Sequence, residues 1–244
     1  MAKDKKRILR NRANKKARQS ARKARAKKSS GGASRFAHMG CTRGELERSP
    51  IHAAYVQNSI FSQGIGQALL ARTLPDGRIA AGVFLVDAYC LGIKDALLTV
   101  QSPFKFEETI ERLFTGGEYE SVAPAYVRKL LDGAIAYARD LGFEPHPDFH
   151  DTSVVLGDIT TTECDTEFTF GHEGKPFYIS GPYHSEATAR RIMAHLANRC
   201  GPDGFHYLVG ISDPDAAYSS GPDPFVTTVD DEELAEEEPE SEGP

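Results

Sequence analysis

The apolar run Ile79 to Val86, IAAGVFLV, holds no charge and a single glycine. A strand with one face in water alternates polar and apolar positions, so this run predicts a strand covered on both faces. Ahead of it, QALLART at 67–73 leads into Leu74-Pro75-Asp76-Gly77. Proline presets φ, aspartate offers a side-chain acceptor and glycine takes a positive φ, which together predict a β-hairpin. Asp87 closes the run, and IKDALL beyond Gly92 is compatible with helix. Ser102-Pro103 ends that stretch, and FKFEETIERLF is expected as a further helix.

The strongest helical pattern follows Gly116-Gly117. Val127, Leu130, Leu131, Ala134, Ile135, Ala138 and Leu141 form one stripe at helical spacing, with Pro124 suited to the first turn and Gly142 to the stop. A second hairpin is expected from EFTFG (167–171) and KPFYIS (175–180) around His172-Glu173-Gly174. A helix from Glu186 to Cys200 comes next, capped by Ser185 and stopped by Gly201, with Ala189, Ile192, Met193, Leu196 and Cys200 inward. FHYLVGI (205–211) reads as the last strand. Hairpin followed by helix thus occurs twice, a pattern of internal pseudo-symmetry. The expected fold is α+β, a mixed sheet from two β-hairpins each followed by helices.

Charge changes this picture at both ends. Residues 1–30 hold fourteen Lys or Arg against Asp4 alone, a net +13, while 230–244 hold nine acids and no Lys or Arg. The 31–229 portion carries 15 basic and 25 acidic residues, a net −10. Blocks of like charge repel and do not collapse, so both ends are expected to be disordered. The predicted organisation is a basic arm at 1–32, conditionally helical, a linker at 33–50, one domain at 51–211 and an acidic tail at 212–244. The arm's Lys5, Lys6, Arg7, Arg10, Arg12, Lys15, Lys16, Arg18, Arg22, Lys23, Arg25, Lys27 and Lys28 are candidates for phosphate contact to RNA or DNA. No aromatic is interleaved for base stacking, so the arm is expected to read charge and not sequence.

No segment reaches the roughly 20 apolar residues of a membrane span. Cys41, Cys90, Cys164 and Cys200 are far apart without a CxxC pair, which favours reduced thiols and a cytoplasmic setting.

The densest ionisable cluster is Glu144-Pro-His146-Pro-Asp148-Phe-His150-Asp151. Extended backbone would project His146, Asp148 and His150 to one side, the donor types of a zinc or manganese hydrolase. The competing reading is a stiff loop in which Asp148 or Asp151 caps the next turn. Asp87, with Asp95 and Asp158, is a second candidate for a two-metal acid set, against a capping role for Asp87. The turn SGPYHSEATARR (180–191) offers a helix N-terminus with His184, Arg190 and Arg191 for phosphate, opposed by Glu186. Cys90 and Cys200 lie in apolar surroundings, where thiols act as small apolar groups.

The blocks GVFLVDAYCLGIKDA, GAIAYARDLGFEPHPDF and GKPFYISGP are similar to a bacterial group of conserved proteins with no assigned activity. The resemblance covers roughly 51–211, implies one domain and transfers no catalytic residue.

Three functional readings follow. The leading one is a non-enzymatic, cofactor-free protein that contacts RNA, the ribosome or DNA through the arm, its acidic body free for a protein partner. The second is a divalent-metal hydrolase or nuclease using His146, Asp148, His150 and Asp151. The third is a protein-interaction module with the arm as a targeting tail.

Overall fold

The computed structural model describes residues 36–115, 117–181 and 184–209. Five strands, β1 (Ile51–Gln57), β2 (Ile65–Thr73), β3 (Ile79–Asp87), β4 (Gly92–Gln101) and β5 (Tyr119–Ser121), form one antiparallel sheet in the order β4-β3-β2-β1-β5. The β2–β3 hairpin forms where the turn residues placed it. Thr73 pairs with Ile79, Gly77 takes a φ of +83°, and the Asp76 carboxylate accepts the Arg78 N–H at 3.0 Å.

The uncharged run of β3 is explained by cover on both faces. Helix α3 (Pro103–Thr115) lays Phe106 and Ile110 on Leu69, Ala71, Ile79 and Ala81. On the other face α4 (Pro124–Asp140) sets Val127, Leu130, Leu131 and Ala134 against Leu70, Phe84 and Val86. A single 3-10 turn, Ser153–Leu156, shares that face. It approaches β3 so closely that a Cβ on Gly82 would stand 2.7 Å from the Val155 side chain. That contact accounts for the one glycine in the run.

The stretch IKDALL is strand, not helix: it lies in β4. Ala96, Leu98 and Val100 face α4 while Asp95, Leu97 and Thr99 face away, so period-two burial overrides a helix-compatible composition. The second hairpin also does not form. Only the bridge His172–Lys175 joins its arms. Gly171 N–H instead donates to the Ala88 carbonyl at 2.9 Å and Phe177 N–H to the Tyr89 carbonyl at 3.0 Å. The β3–β4 turn takes the hydrogen bonds that the two arms would have exchanged. β6 (Phe177–Ile179) pairs in parallel with β7 (His206–Leu208) outside the main sheet; Tyr178 of β6 is buried while β7 is exposed. The architecture is α+β with two separate sheets, and the pseudo-symmetric pattern is absent from the described residues.

α6 (Glu186–Cys200) keeps its predicted ends: Ser185 Oγ accepts the Thr188 N–H at 3.1 Å, and Gly201 follows the last turn. Ala189, Ile192 and Leu196 pack on Leu141, Phe143 and Tyr178 as a second core. Between Phe36 and Pro50, expected as linker, lies α1 (Arg43–Arg48), closed by a capping box of Thr42 and Glu45. Phe36 and Leu46 are buried in the main core. Two further short helical turns are α2 (Ser59–Ser62) and α5 (Phe149–Thr152). No helix among the described residues is long and apolar enough to cross a membrane.

Candidate functional site

The arm cations, Lys5 through Lys28, lie outside the described residues. The His146–Asp151 segment lies within them, and its residues do not share one side. His146 N–H donates to the Ile93 carbonyl at 2.9 Å, tying the segment to β4. His146 Nδ1 accepts the Asp148 N–H at 3.3 Å and stands 3.7 Å from Asp95 Oδ1. From Phe149 the backbone turns into α5, where successive side chains diverge by about 100°. His150 and Asp151 therefore leave the line that an extended segment would have kept. Among the described residues no group of three or more His, Cys, Asp or Glu is placed to hold a metal.

Asp87, Asp95 and Asp158 do not converge. Asp158 is 96% exposed and stands 3.8 Å from the Arg72 guanidinium, at the opposite end of the sheet from Asp87. Asp95 is largely in water beside His146. Asp87 acts as a cap, of a turn and not of a helix: Oδ1 accepts the N–H of Cys90 at 2.8 Å and of Tyr89 at 3.1 Å.

What the fold does bring together is a buried group around that turn. β4 pairs with β3 through a bulge: Asp95 opposes Leu85 and Ile93 opposes Val86, leaving Lys94 as the extra residue. A bulge re-aims its side chain, and here Lys94 is turned into the protein, with only 7% of its side chain exposed. Its Nζ stands 3.9 Å from Asp87 Oδ2, beyond hydrogen-bond reach. A Cβ on Gly181 would lie 3.5 Å from the same ammonium and 3.9 Å from the His184 ring. His184 is buried, its Nδ1 2.7 Å from the Tyr178 hydroxyl and 3.4 Å from the Gly181 N–H that donates to it. A backbone N–H can only donate, so that bond makes Nδ1 the acceptor and puts the imidazole proton on Nε2.

Electrostatics follow from burial. Loss of water pushes the Asp87 carboxyl up, while Lys94 and the N–H groups of Cys90, Leu91 and Tyr89 pull it back. Burial pushes the Cys90 thiol well up, and the adjoining Asp87 carboxylate adds to that. A thiol held this way is a packing group and not a nucleophile. Burial also raises the Tyr137 phenol beside it. The carboxylate is engaged by the turn, whereas the three donors of the ammonium are not consumed by the pair. Such an ammonium is suited to an anionic or carbonyl oxygen.

Among the described residues of 180–191, His184 and Arg190 are engaged elsewhere than at a phosphate site. His184 bonds to Tyr178, Arg190 pairs with Glu186 one turn along α6, and Ser185 caps the first turn. A second buried cation, Arg72, is a joint: Nε donates to the Val155 carbonyl, Nη1 to that of Ser49 and Nη2 to that of Leu156. Neither Lys94 nor Arg72 stands out in the sequence. The available signal was a charge inside an otherwise apolar strand pattern, at GIKDALLTVQ and QALLART. The group Asp87, Cys90, Lys94, Tyr137, Tyr178 and Gly181 draws on all three sequence blocks singled out above. No protein-family model, curated protein or solved structure matches the chain.

Proposed function

We propose that the protein associates with nucleic acid as a non-enzymatic binder, its 3–28 segment neutralising backbone phosphates and its folded domain staying off the polyanion. The observation that carries this reading is the segregation of charge, +13 in residues 1–30 against −10 in 31–229. Ion pairing within the domain supports it. Arg43, Arg78, Lys105, Arg128, Lys129, Arg139 and Arg190 are each paired with an acid on the domain's own surface. Arg72 and Lys94 are buried. Most of the domain's cations are thus matched by acids or buried, which leaves the arm as the densest block of unmatched positive charge in the sequence.

Binding of this kind is driven by release of condensed counterions. If half of the fourteen arm cations meet duplex phosphates, the slope of log affinity against log salt is about −6. The test is fluorescence anisotropy on a labelled RNA and a duplex DNA of equal length, across a salt series. The full chain is compared with a variant lacking residues 1–30. Steep, sequence-indifferent binding by the full chain alone is expected. Equal affinity for the shortened chain would refute the reading and move attention to the domain.

A further inference from the structure

The geometry points to self-association: we propose that the C-terminal half of β4 pairs antiparallel with β4 of a second copy of this chain. β4 is the terminal strand of the sheet and ten residues long. An open edge of that length is a template for another strand unless something blunts it. The N-terminal half is blunted three times over. The bulge at Lys94 interrupts it, His146 N–H occupies the Ile93 carbonyl, and Asp95 Oδ1 accepts the Ala96 N–H at 2.7 Å. Among the described residues, no backbone hydrogen bond from outside the sheet reaches Leu97 to Gln101. Leu97 is 57% exposed there, and Phe104, just beyond the strand, is 73% exposed.

The occupant follows from charge. Residues 97–104, LLTVQSPF, carry none, on a domain that is otherwise acidic. A polyanion finds no cation on this edge, and a basic segment finds no acid between Leu97 and Phe104. A second copy finds its own complement, at the place where two acidic domains repel least. The Ile93 carbonyl and, beyond the bulge, the Ala96 N–H both bond to groups outside the sheet, which assigns Ala96 to the outward set, continuing at period two through Leu98 and Val100. A two-fold register centred on Leu98 brings this set onto itself: the two Leu98 residues exchange both bonds, and the Val100 N–H meets the Ala96 carbonyl, the group that the Asp95 side chain leaves open. Leu97 then lies opposite Thr99 and Asp95 opposite Gln101, with no like charges facing each other. Gln101 Nε2 is a buried donor without a partner, and the register sets an Asp95 carboxylate across from its residue. An isologous contact of this kind closes as a dimer and does not propagate.

Sedimentation velocity on the full chain tests this, after nuclease treatment and in about 0.5 M salt so that nucleic acid cannot bridge arms. A monomer–dimer shift between about 1 and 100 µM is expected. Leu97→Lys and, separately, Phe104→Lys should weaken the dimer about tenfold or more, with an unchanged melting temperature at concentrations where the chain is monomeric, since both side chains are exposed. A chain that stays monomeric throughout that range overturns the proposal. So does a dimer indifferent to both substitutions, which would place the contact elsewhere, for instance at the exposed Tyr207 and Leu208 of β7.

Discussion

Arg72 and Lys94 stand near opposite ends of β3, each with less than a tenth of its side chain in water, and their surroundings differ. Arg72 reaches three carbonyls on two segments far apart in sequence, at 2.5 to 3.1 Å, with Asp158 as a distant, exposed counter-charge. The guanidinium is a rigid planar fork, so each bond it makes also fixes the next. Lys94 has one carboxylate at 3.9 Å, already engaged by backbone N–H groups. Equal burial therefore does not mean equal function. One cation is a joint between α1, the 3-10 turn and the sheet, while the other makes no hydrogen bond among the described residues. In a chain with few other signs of chemistry, the second is the group from which a binding function could be built.

The sharpest way to break the comparison is Arg72→Met. It strands three buried carbonyls, and urea unfolding should show a loss of about 3–5 kcal/mol. A loss under about 1 kcal/mol would mean that the joint is ornamental. Lys94→Met should cost less, about 1–3 kcal/mol, because it leaves Asp87 buried but still bonded to the turn. Adding Asp87→Asn to Lys94→Met should cost less than the two single losses summed, and strict additivity would deny that the groups are coupled.

Asp87 also predicts a pH signature. Its folded carboxyl is raised by burial, so in the window above the unfolded value the native state binds the extra proton. Its contribution is present below the unfolded pKa and is lost as pH rises through the folded one. Wild-type stability relative to Asp87→Asn should therefore fall with rising pH across that window, as chemical melts at a series of pH values would reveal. A rise would mean that Lys94 and the turn outweigh burial. The smallest effect is expected from Thr42→Ala, about 1 kcal/mol for the lost α1 cap. Combined with Arg72→Met it should be worth less, if Arg72 is what holds α1 in place.

Legibility in the sequence followed how local the determinant was. Pro75-Asp76-Gly77 and the α4 stripe are read from neighbours, and both stand as predicted. IKDALL carries two competing periods, and the strand wins because Ala96, Leu98 and Val100 meet a helix supplied from about thirty residues further on. The second hairpin failed because its partner groups, Ala88 and Tyr89, are about eighty residues away. Arg72 was hard to read for the same reason, since its acceptors at Ser49, Val155 and Leu156 come from segments that only the fold assembles. Lys94, by contrast, has its counter-charge Asp87 nearby in the chain and is turned inward by a bulge that the sequence does not announce. The His146–Asp151 cluster reads as a ligand set only on extended backbone, and the helical turn at Phe149–Thr152 changes that spacing.

Phe36, buried in the main core, is the fixed point of a tether. Eight residues separate it from Lys28, and thirty-one from Lys5. An extended chain advances at most about 3.5 Å per residue, which limits Lys28 to about 28 Å from that anchor and Lys5 to about 110 Å. Contour length alone therefore caps the reach of the innermost cations at a fraction of that of the outermost. If the arm is the phosphate-binding element proposed above, Phe36 sets the upper limit on how far from the domain each cation can meet a polymer.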